Sequence, residues 1–377
     1  MKILHVIDSG GLYGAEKILL DLVKEQAKKG LKPEIASIGE KSIPEKPLEK
    51  EAREAGLPLS IFRMRPGPNL LGAMNIRNYA VRNGFDIYHS HGYKGNILLG
   101  YMPFVLRQLP VIATLHGYTG TGKGLSKIHL YEWLDRLVLR RLDAVVLVSG
   151  RMLDHPKLMG IKNINYQVIE NGIDLQPIKK SAGNLQSAKV TDFCKNGFIV
   201  GAVGRLSKEK GHEFLIDAFG RIVQNIAEAK LLILGEGPMR QSLEQKVSEQ
   251  GLNNRVLMPG YVGNASQFMT FFDVFVLSSM TEGLPVTLLE AMRAEKPVVA
   301  TNVGAMTDFV QHGKNGLLVN PADAGSLAKA VEQIFHDNNL RMLSDKTNAD
   351  LLKKFSSDRM ASDYQRLYQE ILKKRNQ

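Results

Sequence analysis

Val274-Phe275-Val276-Leu277-Ser278-Ser279-Met280-Thr281-Glu282-Gly283-Leu284-Pro285-Val286-Thr287-Leu288-Leu289-Glu290-Ala291-Met292 is the stretch from which the rest of the chain can be read. Four apolar residues, Val274–Leu277, have the length and composition of a buried strand. A polar loop follows, and then a helix whose first turn suits Pro285, because the missing proline N–H costs nothing there. Gly283 lets the backbone approach a ligand closely. The unsatisfied N–H groups near Val286 and Thr287 would meet a phosphate at the favourable end of the helix dipole. Glu282 precedes the helix, and Glu290 lies inside it, roughly 8 Å along the axis from Pro285. Leu288 and Leu289 beside Glu290 point to a partly buried acid. Two ordinary surface acids near a helix start would give the same spacing, so the pattern gains weight only from its surroundings.

Those surroundings repeat the same grammar. Strands Phe198–Val203, Leu231–Leu234, Val256–Met258 and Val298–Ala300 alternate with helical patterns in the second half of the chain. In the first half, Ile3–Ile7, Glu34–Ile38, Leu59–Phe62, Ile87–Tyr88, Val111–Leu115, Ala144–Val148 and Gln167–Ile169 read as strands. Helical stretches Ala15–Lys29, Asn69–Arg82 and Asn96–Arg107 lie between them. Strands separated by helices of this length favour parallel βαβ units and a doubly wound sheet. Between Leu175 and Lys195 the pattern fades into Gln, Ser, Lys and Asn, the best linker candidate. The expected fold class is therefore α/β, with two Rossmann-like doubly wound domains, 1–180 and 181–357, facing each other across a cleft. An amphipathic terminal helix, 358–377, with Tyr364, Leu367, Tyr368 and Ile371 on one face, is assigned to the first domain. Ligands of such sheets sit beyond the carboxyl ends of the strands, which is where the motifs fall.

With 377 residues, 44% of them hydrophobic and 23% charged, the composition is that of a globular protein of about two domains. No apolar run is long enough to span a bilayer, and the N-terminal run is shorter than a secretory signal needs. A single cysteine, Cys194, excludes an internal disulfide and makes a reducing cytoplasm the expected location. The net charge of +11 is uneven: Ile61 to Asn165 holds 14 Lys and Arg against 5 Asp and Glu. Such a stretch attracts anionic lipid, nucleic acid or a phosphorylated substrate, or is simply a solvated basic surface. No recognised nucleic-acid-binding module appears, so no nucleic-acid partner is expected.

The other motifs also follow strands. Gly204-Arg205-Leu206-Ser207-Lys208-Glu209-Lys210-Gly211 offers two spaced cations suited to a pyrophosphate. Gly235-Glu236-Gly237-Pro238 can be explained by turn chemistry alone. Ser9-Gly10-Gly11-Leu12-Tyr13-Gly14-Ala15-Glu16 lacks the dinucleotide glycine spacing, which excludes a nicotinamide dehydrogenase. His116 ends strand Val111–Leu115, where a functional histidine belongs. The nearby Gly117-Tyr118-Thr119-Gly120-Thr121-Gly122-Lys123-Gly124 has Gly124 where a P-loop needs Ser or Thr, and is read as a loop over the cleft. His89 and His91 suggest a metal pair, but no third ligand is evident, so they are read as acceptor-side or structural residues. No Asp-x-Asp occurs, which argues against a metal-bridged sugar nucleotide.

Together these segments resemble the large retaining glycosyltransferase family four, with the two-domain architecture called GT-B. The resemblance is clearest from Gly197 to Asn320, and rests on the acid pair Glu282 and Glu290, the Gly204–Gly211 and Gly235–Pro238 elements, and Val303-Gly304 with Asn315–Val319. Tyr13–Glu16 and Asn171-Gly172-Ile173-Asp174 fit it too. It implies that Arg205 and Lys210 hold a diphosphate, Glu290 a ribose, and Glu282 the donor sugar. It further implies that His116 approaches that sugar, that Gly14 lies against the phosphates, and that Gly283, Leu284, Pro285 and Val286 bind the nucleotide sugar. The terminal helix would cross back onto the first domain. Gly283-Leu284-Pro285 replaces the commoner Gly-Phe-Gly, and Ala305 stands where a second glycine is frequent.

The implied activity is sugar transfer with retention, from a nucleotide-diphosphate sugar, UDP being the family's commonest, to a carbohydrate or lipid-linked acceptor. The cations and helix N–H groups would take the place of a metal, so neither metal nor further cofactor is expected. A sugar-nucleotide epimerase of the same fold and a non-catalytic sugar-binding protein remain alternatives. Helix Leu130–Leu142, with Arg136, Arg140 and Arg141 beside Trp133, Leu134 and Leu137, resembles a membrane-surface face; internal packing would explain it equally.

Overall fold

The computed structural model describes residues 1–12, 14–65, 67, 69–116, 127–154, 158, 161, 164–175, 185–262, 265–282, 285–304, 306–342 and 344–375. The chain forms two compact units, Met1–Asp174 with Phe355–Gln377, and Leu175–Lys354.

The first unit is built on seven strands: β1 (Lys2–Ile7), β2 (Lys32–Glu40), β3 (Leu59–Met64), β4 (Ile87–His91), β5 (Val111–Leu115), β6 (Ala144–Leu147) and β7 (Tyr166–Val168). They lie in the order β3-β2-β1-β4-β5-β6-β7, all parallel. The central strands are buried on both faces, which is why they read as unbroken apolar runs rather than alternating ones. The order reverses between β1 and β4, so the loops after these two strands diverge and open a crevice at their carboxyl ends.

The expected helix Asn96–Arg107 is two helices, Tyr93–Gly100 and Phe104–Arg107. Pro103 between them lacks the N–H that a continuous helix needs. Gly100 has no Cβ because Val138 of helix Lys127–Leu139 packs against it. The terminal helix Ser357–Arg375 buries Met360, Ala361, Tyr364, Leu367, Tyr368 and Ile371 within the first unit, on the side of helix Gly14–Lys28. Its entry is laced to the Asn171–Asp174 turn. Ile173 N–H donates to the Phe355 carbonyl at 2.8 Å, and Ser357 N–H donates to the Ile173 carbonyl at 2.9 Å. Gly172 lies where a Cβ would strike the Ser356 backbone, which accounts for the glycine.

The second unit has six strands: β8 (Phe198–Val203), β9 (Ala229–Leu234), β10 (Val256–Gly260), β11 (Val274–Leu277), β12 (Val298–Thr301) and β13 (Leu317–Val319). Their order, β10-β9-β8-β11-β12-β13, is again parallel throughout, with its reversal between β8 and β11. Amphipathic helices His212–Asn225 and Ala324–His336 seal one face of the sheet through Leu215, Phe219, Ile222, Leu327, Val331 and Ile334. Residues expected to be linker contain the helix Leu185–Phe193. Among the described residues no helix is long and apolar enough to cross a membrane.

Candidate active site

The reversal point of the second sheet carries the residues that the sequence singles out. The loop after β8 runs from Gly204 into the turn Lys208–Lys210, and the loop after β11 runs from Ser278 to Pro285. Lys210 Nζ and Glu282 Oε1 meet at 2.5 Å, with the carboxylate side chain only 7% exposed. Ser279 Oγ donates to the same carboxylate oxygen at 2.6 Å. The carboxylate is thus held from two sides, while its cation partner keeps a quarter of its surface open to solvent. Lys210, with three donors on a flexible stem, can turn from a carboxylate oxygen to a phosphate oxygen.

Backbone contacts fix the loops that carry this pair. Ser278 Oγ donates to the Lys210 carbonyl at 3.0 Å, and Met280 N–H donates to the Glu209 carbonyl at 2.8 Å. Gly211, at φ +61°, presses against the Ser278 carbonyl, and Gly304, at φ +54°, against the Glu282 carbonyl; neither site has room for a Cβ. Gly235 and Gly237 stand in the same relation to the carbonyls of Gly204 and Leu206. Leu206 N–H donates to the Glu236 carbonyl at 2.9 Å. The Gly235–Pro238 element, which turn chemistry alone could explain, therefore also buttresses the loop that bears Arg205 and Lys210. His212 is buried at the start of its helix. Burial, reinforced by the Lys210 charge, pushes its imidazole down to about 4, so it is neutral beside that cation.

Of the other expected residues, Arg205 lies exposed on the same loop as Lys210. Pro285 is buried immediately before the helix Val286–Arg293, whose first residue is Val286 and in which Glu290 is buried. Gly283 and Leu284 lie outside the described residues, as do Tyr13, Ala305 and the 117–124 loop. Gly14 is the exposed first residue of helix Gly14–Lys28.

His116 follows β5 in the first unit and belongs to a cluster that the sequence does not reveal. The member missing from the sequence-based expectation is His5 on β1, which the register sets directly beside His89 on β4. Ring nitrogens of His5, His89 and His91 lie within 4.8 Å of one another. Each is already engaged. His5 Nδ1 meets His91 Nε2 at 3.0 Å, and His5 Nε2 meets Gln26 Oε1 at 2.8 Å. His89 meets Tyr368 OH and Thr114 Oγ1, both at 2.7 Å, and His91 Nδ1 meets His116 Nε2 at 3.3 Å. The geometry is that of a hydrogen-bonded chain of imidazoles. Burial pushes His5 and His116 down to about 4 and lowers His89 and His91 as well, so all four are neutral.

Two parallel sheets of the doubly wound type are also the fold of solved GT-B glycosyltransferases that this chain resembles. The profile described as Glycosyltransferase Family 4 matches residues 13–177, and that described as Glycosyl transferases group 1 matches residues 186–349. An uncharacterised glycosyltransferase of Methanocaldococcus jannaschii is 33% identical over 75% of each chain. N-acetyl-alpha-D-glucosaminyl L-malate synthase of Bacillus anthracis is 27% identical over 83% of this chain and 82% of that one. UDP-Gal:alpha-D-GlcNAc-diphosphoundecaprenol alpha-1,3-galactosyltransferase of Escherichia coli is 27% identical over 69% of each. The Anabaena protein HepE, crystallised with UDP-glucose, shares the fold with a TM-score of 0.80 at 22% identity, covering 98% of this chain and all of that one. This chain belongs to glycosyltransferase family four, and is a glycosyltransferase.

Proposed function

We propose that the enzyme transfers a sugar, with retention at its anomeric carbon, from a UDP-sugar to an acceptor of cell-envelope polysaccharide or glycolipid synthesis. The observation that carries this reading is the Lys210–Glu282 pair at 2.5 Å, on loops clamped together at the switch point. A donor diphosphate gives Lys210 and Arg205 a doubly charged partner, and these cations stabilise the charge that develops on the leaving group. Glu282, still held by Ser279, is then free to accept from a sugar hydroxyl. Glu290 takes the ribose, and the first-turn N–H groups after Pro285 face the phosphates. A leaving-phosphate oxygen takes the acceptor proton, with no metal in the step. His116 and Gly14 engage substrate from the first unit. The UDP donor is supported by the UDP-Gal in the name of the Escherichia coli relative and by the UDP-glucose complex of HepE; the acceptor class is supported by that relative's diphosphoundecaprenol substrate.

The experiment is a panel of nucleotide sugars with polyprenyl-diphosphate glycans as acceptors, the product's anomeric configuration being read by NMR. An α-linked product from an α-linked donor supports the reading. An inverted product, or isomerised nucleotide sugar without transfer, would remove it.

We also propose that the enzyme works in the cytoplasm at the inner face of an anionic membrane. Trp133 and Leu137 are 57% and 42% exposed on the helix that also carries Arg136, ahead of exposed Arg140 and Arg141. To these the structure adds the exposed Phe104, Val105 and Leu106 of the short helix after Pro103, beside which Arg375 lies over the Phe104 ring. Apolar side chains with adjacent cations suit an anionic interface.

A further inference from the structure

The imidazole chain has a direction, and the direction starts at Gln26. The Gln26 amide is fully buried between β1 and the terminal helix. Its Nε2 donates to Tyr368 OH at 3.1 Å, and its Oε1 faces His5 Nε2. An amide oxygen only accepts, so His5 must carry its proton on Nε2. A neutral imidazole has one N–H, which leaves His5 Nδ1 bare; the proton between His5 and His91 therefore belongs to His91 Nε2. His91 Nδ1 is bare in turn, and the proton facing it belongs to His116 Nε2. The chain ends at His116 Nδ1, a bare lone pair that is enclosed and has no hydrogen-bond partner among the described residues.

We infer that Gln26, acting through His5 and His91, sets the tautomer of His116 so that its Nδ1 is the nitrogen left bare to accept from a carbohydrate hydroxyl. This rests on the proposed transfer of a sugar, while the tautomer itself does not. Turning the Gln26 amide over would reverse every donor along the chain and present an N–H at His116 instead. Gln26, His5 and His91 are thus positioning residues. The terminal helix has a part as well, because Tyr368 OH accepts the Gln26 N–H. A ligand O–H that displaces what covers this acceptor would satisfy a buried group that the fold leaves without a donor.

The test is nitrogen NMR of the full chain carrying ¹⁵N-histidine, with His116 assigned by its absence in His116→Ala. A pyridine-type Nδ1 and a pyrrole-type Nε2 at His116 are expected. In Gln26→Leu the His5 Nε2 loses its acceptor, and the chain should reverse to a pyrrole-type His116 Nδ1. Tyr368→Phe keeps the ring packing and is the milder variant; it should give a mixture. In transfer assays Gln26→Leu should lower kcat/KM on the order of 3–10-fold, the value of one hydrogen bond. It should lower it no further in a His116→Ala background. The KM that rises, for donor or for acceptor, identifies whose hydroxyl is bound. A pyrrole-type Nδ1 in the wild type, an unchanged tautomer in Gln26→Leu, additive losses in the double variant, or a stoichiometric metal ion on the histidines would each overturn the inference. Absence of transfer with every donor would remove the proposed function and leave the NMR result to stand or fall alone.

Discussion

Acidification from pH 7 to pH 5 should destabilise the first unit more than the second. His5 and His116 are held near pH 4 by burial, whereas an unfolded histidine titrates at 6.5. Between these values the unfolded chain binds protons that the folded unit refuses. Stability present above about 6.5 is therefore lost as the pH falls toward 4. For one such histidine the loss between pH 7 and pH 5 is about 2 kcal/mol. Treated as independent, His5 and His116 together lose about 4 kcal/mol, Asp135, whose carboxyl burial pushes up to about 7, returns about 2 kcal/mol as it takes up a proton, and His89 and His91, also lowered by burial, add to the loss. In the second unit burial moves His212, also to about 4, for a loss of about 2 kcal/mol. Domain stabilities are commonly 5–15 kcal/mol, so the first unit would lose a large share. Hydrogen exchange, corrected for intrinsic rates and resolved by peptide, separates the two units at each pH. Protection in β1, β4 and β5 should fall by more than about 1.5 orders of magnitude beyond intrinsic chemistry, and by more than protection in β8 and β11. Equal losses in the two units, or none in the first, would refute the assignment of these histidines as buried and neutral.

Three further outcomes are expected. Gly304→Ala places a methyl group against the Glu282 carbonyl at φ +54°, and should cost about 1–3 kcal/mol in chemical denaturation while impairing donor turnover more than a surface Gly→Ala control. Arg205→Ala should lower kcat/KM by at least tenfold in the transfer assay, because a cation beside the leaving diphosphate acts mainly in the transition state; a change within a few-fold would contradict its role. Replacing Trp133 and Leu137 by Ser should weaken co-sedimentation with anionic vesicles, and raised salt should weaken the wild type too; binding insensitive to both would dismiss the membrane surface.

Much of the fold was legible because central parallel strands, buried on both faces, are short apolar runs with turn signals at their ends. β5, β8 and β11 have the expected ends. Edges and breaks were harder. Asn96–Arg107 carries a continuous helical pattern, and Pro103 divides it by removing a donor, an event that apolar periodicity does not register. The second unit's candidate site residues were legible as loop motifs after strands, but their pairing was not: Lys210 and Glu282 are 72 residues apart, and Ser279 reads as an ordinary loop serine. His5 illustrates the limit most clearly. It lies in an N-terminal strand 86 residues from His91, and only the β1–β4 register joins them. The glycines of Gly235–Pro238 read as a turn because close approach to a distant carbonyl leaves no local signature.

A donor-diphosphate site centred on Lys210 and Glu282 is what the proposed chemistry depends on most. Calorimetric titration of UDP-sugars into the wild type and Lys210→Ala, with a chelator present, tests it most directly. Saturable one-to-one binding of at least one UDP-sugar to the wild type is expected, weakened by at least tenfold in Lys210→Ala, the value of a charge-assisted hydrogen bond to phosphate. Equal affinity in the two proteins, or binding only when a divalent metal is restored, would contradict it.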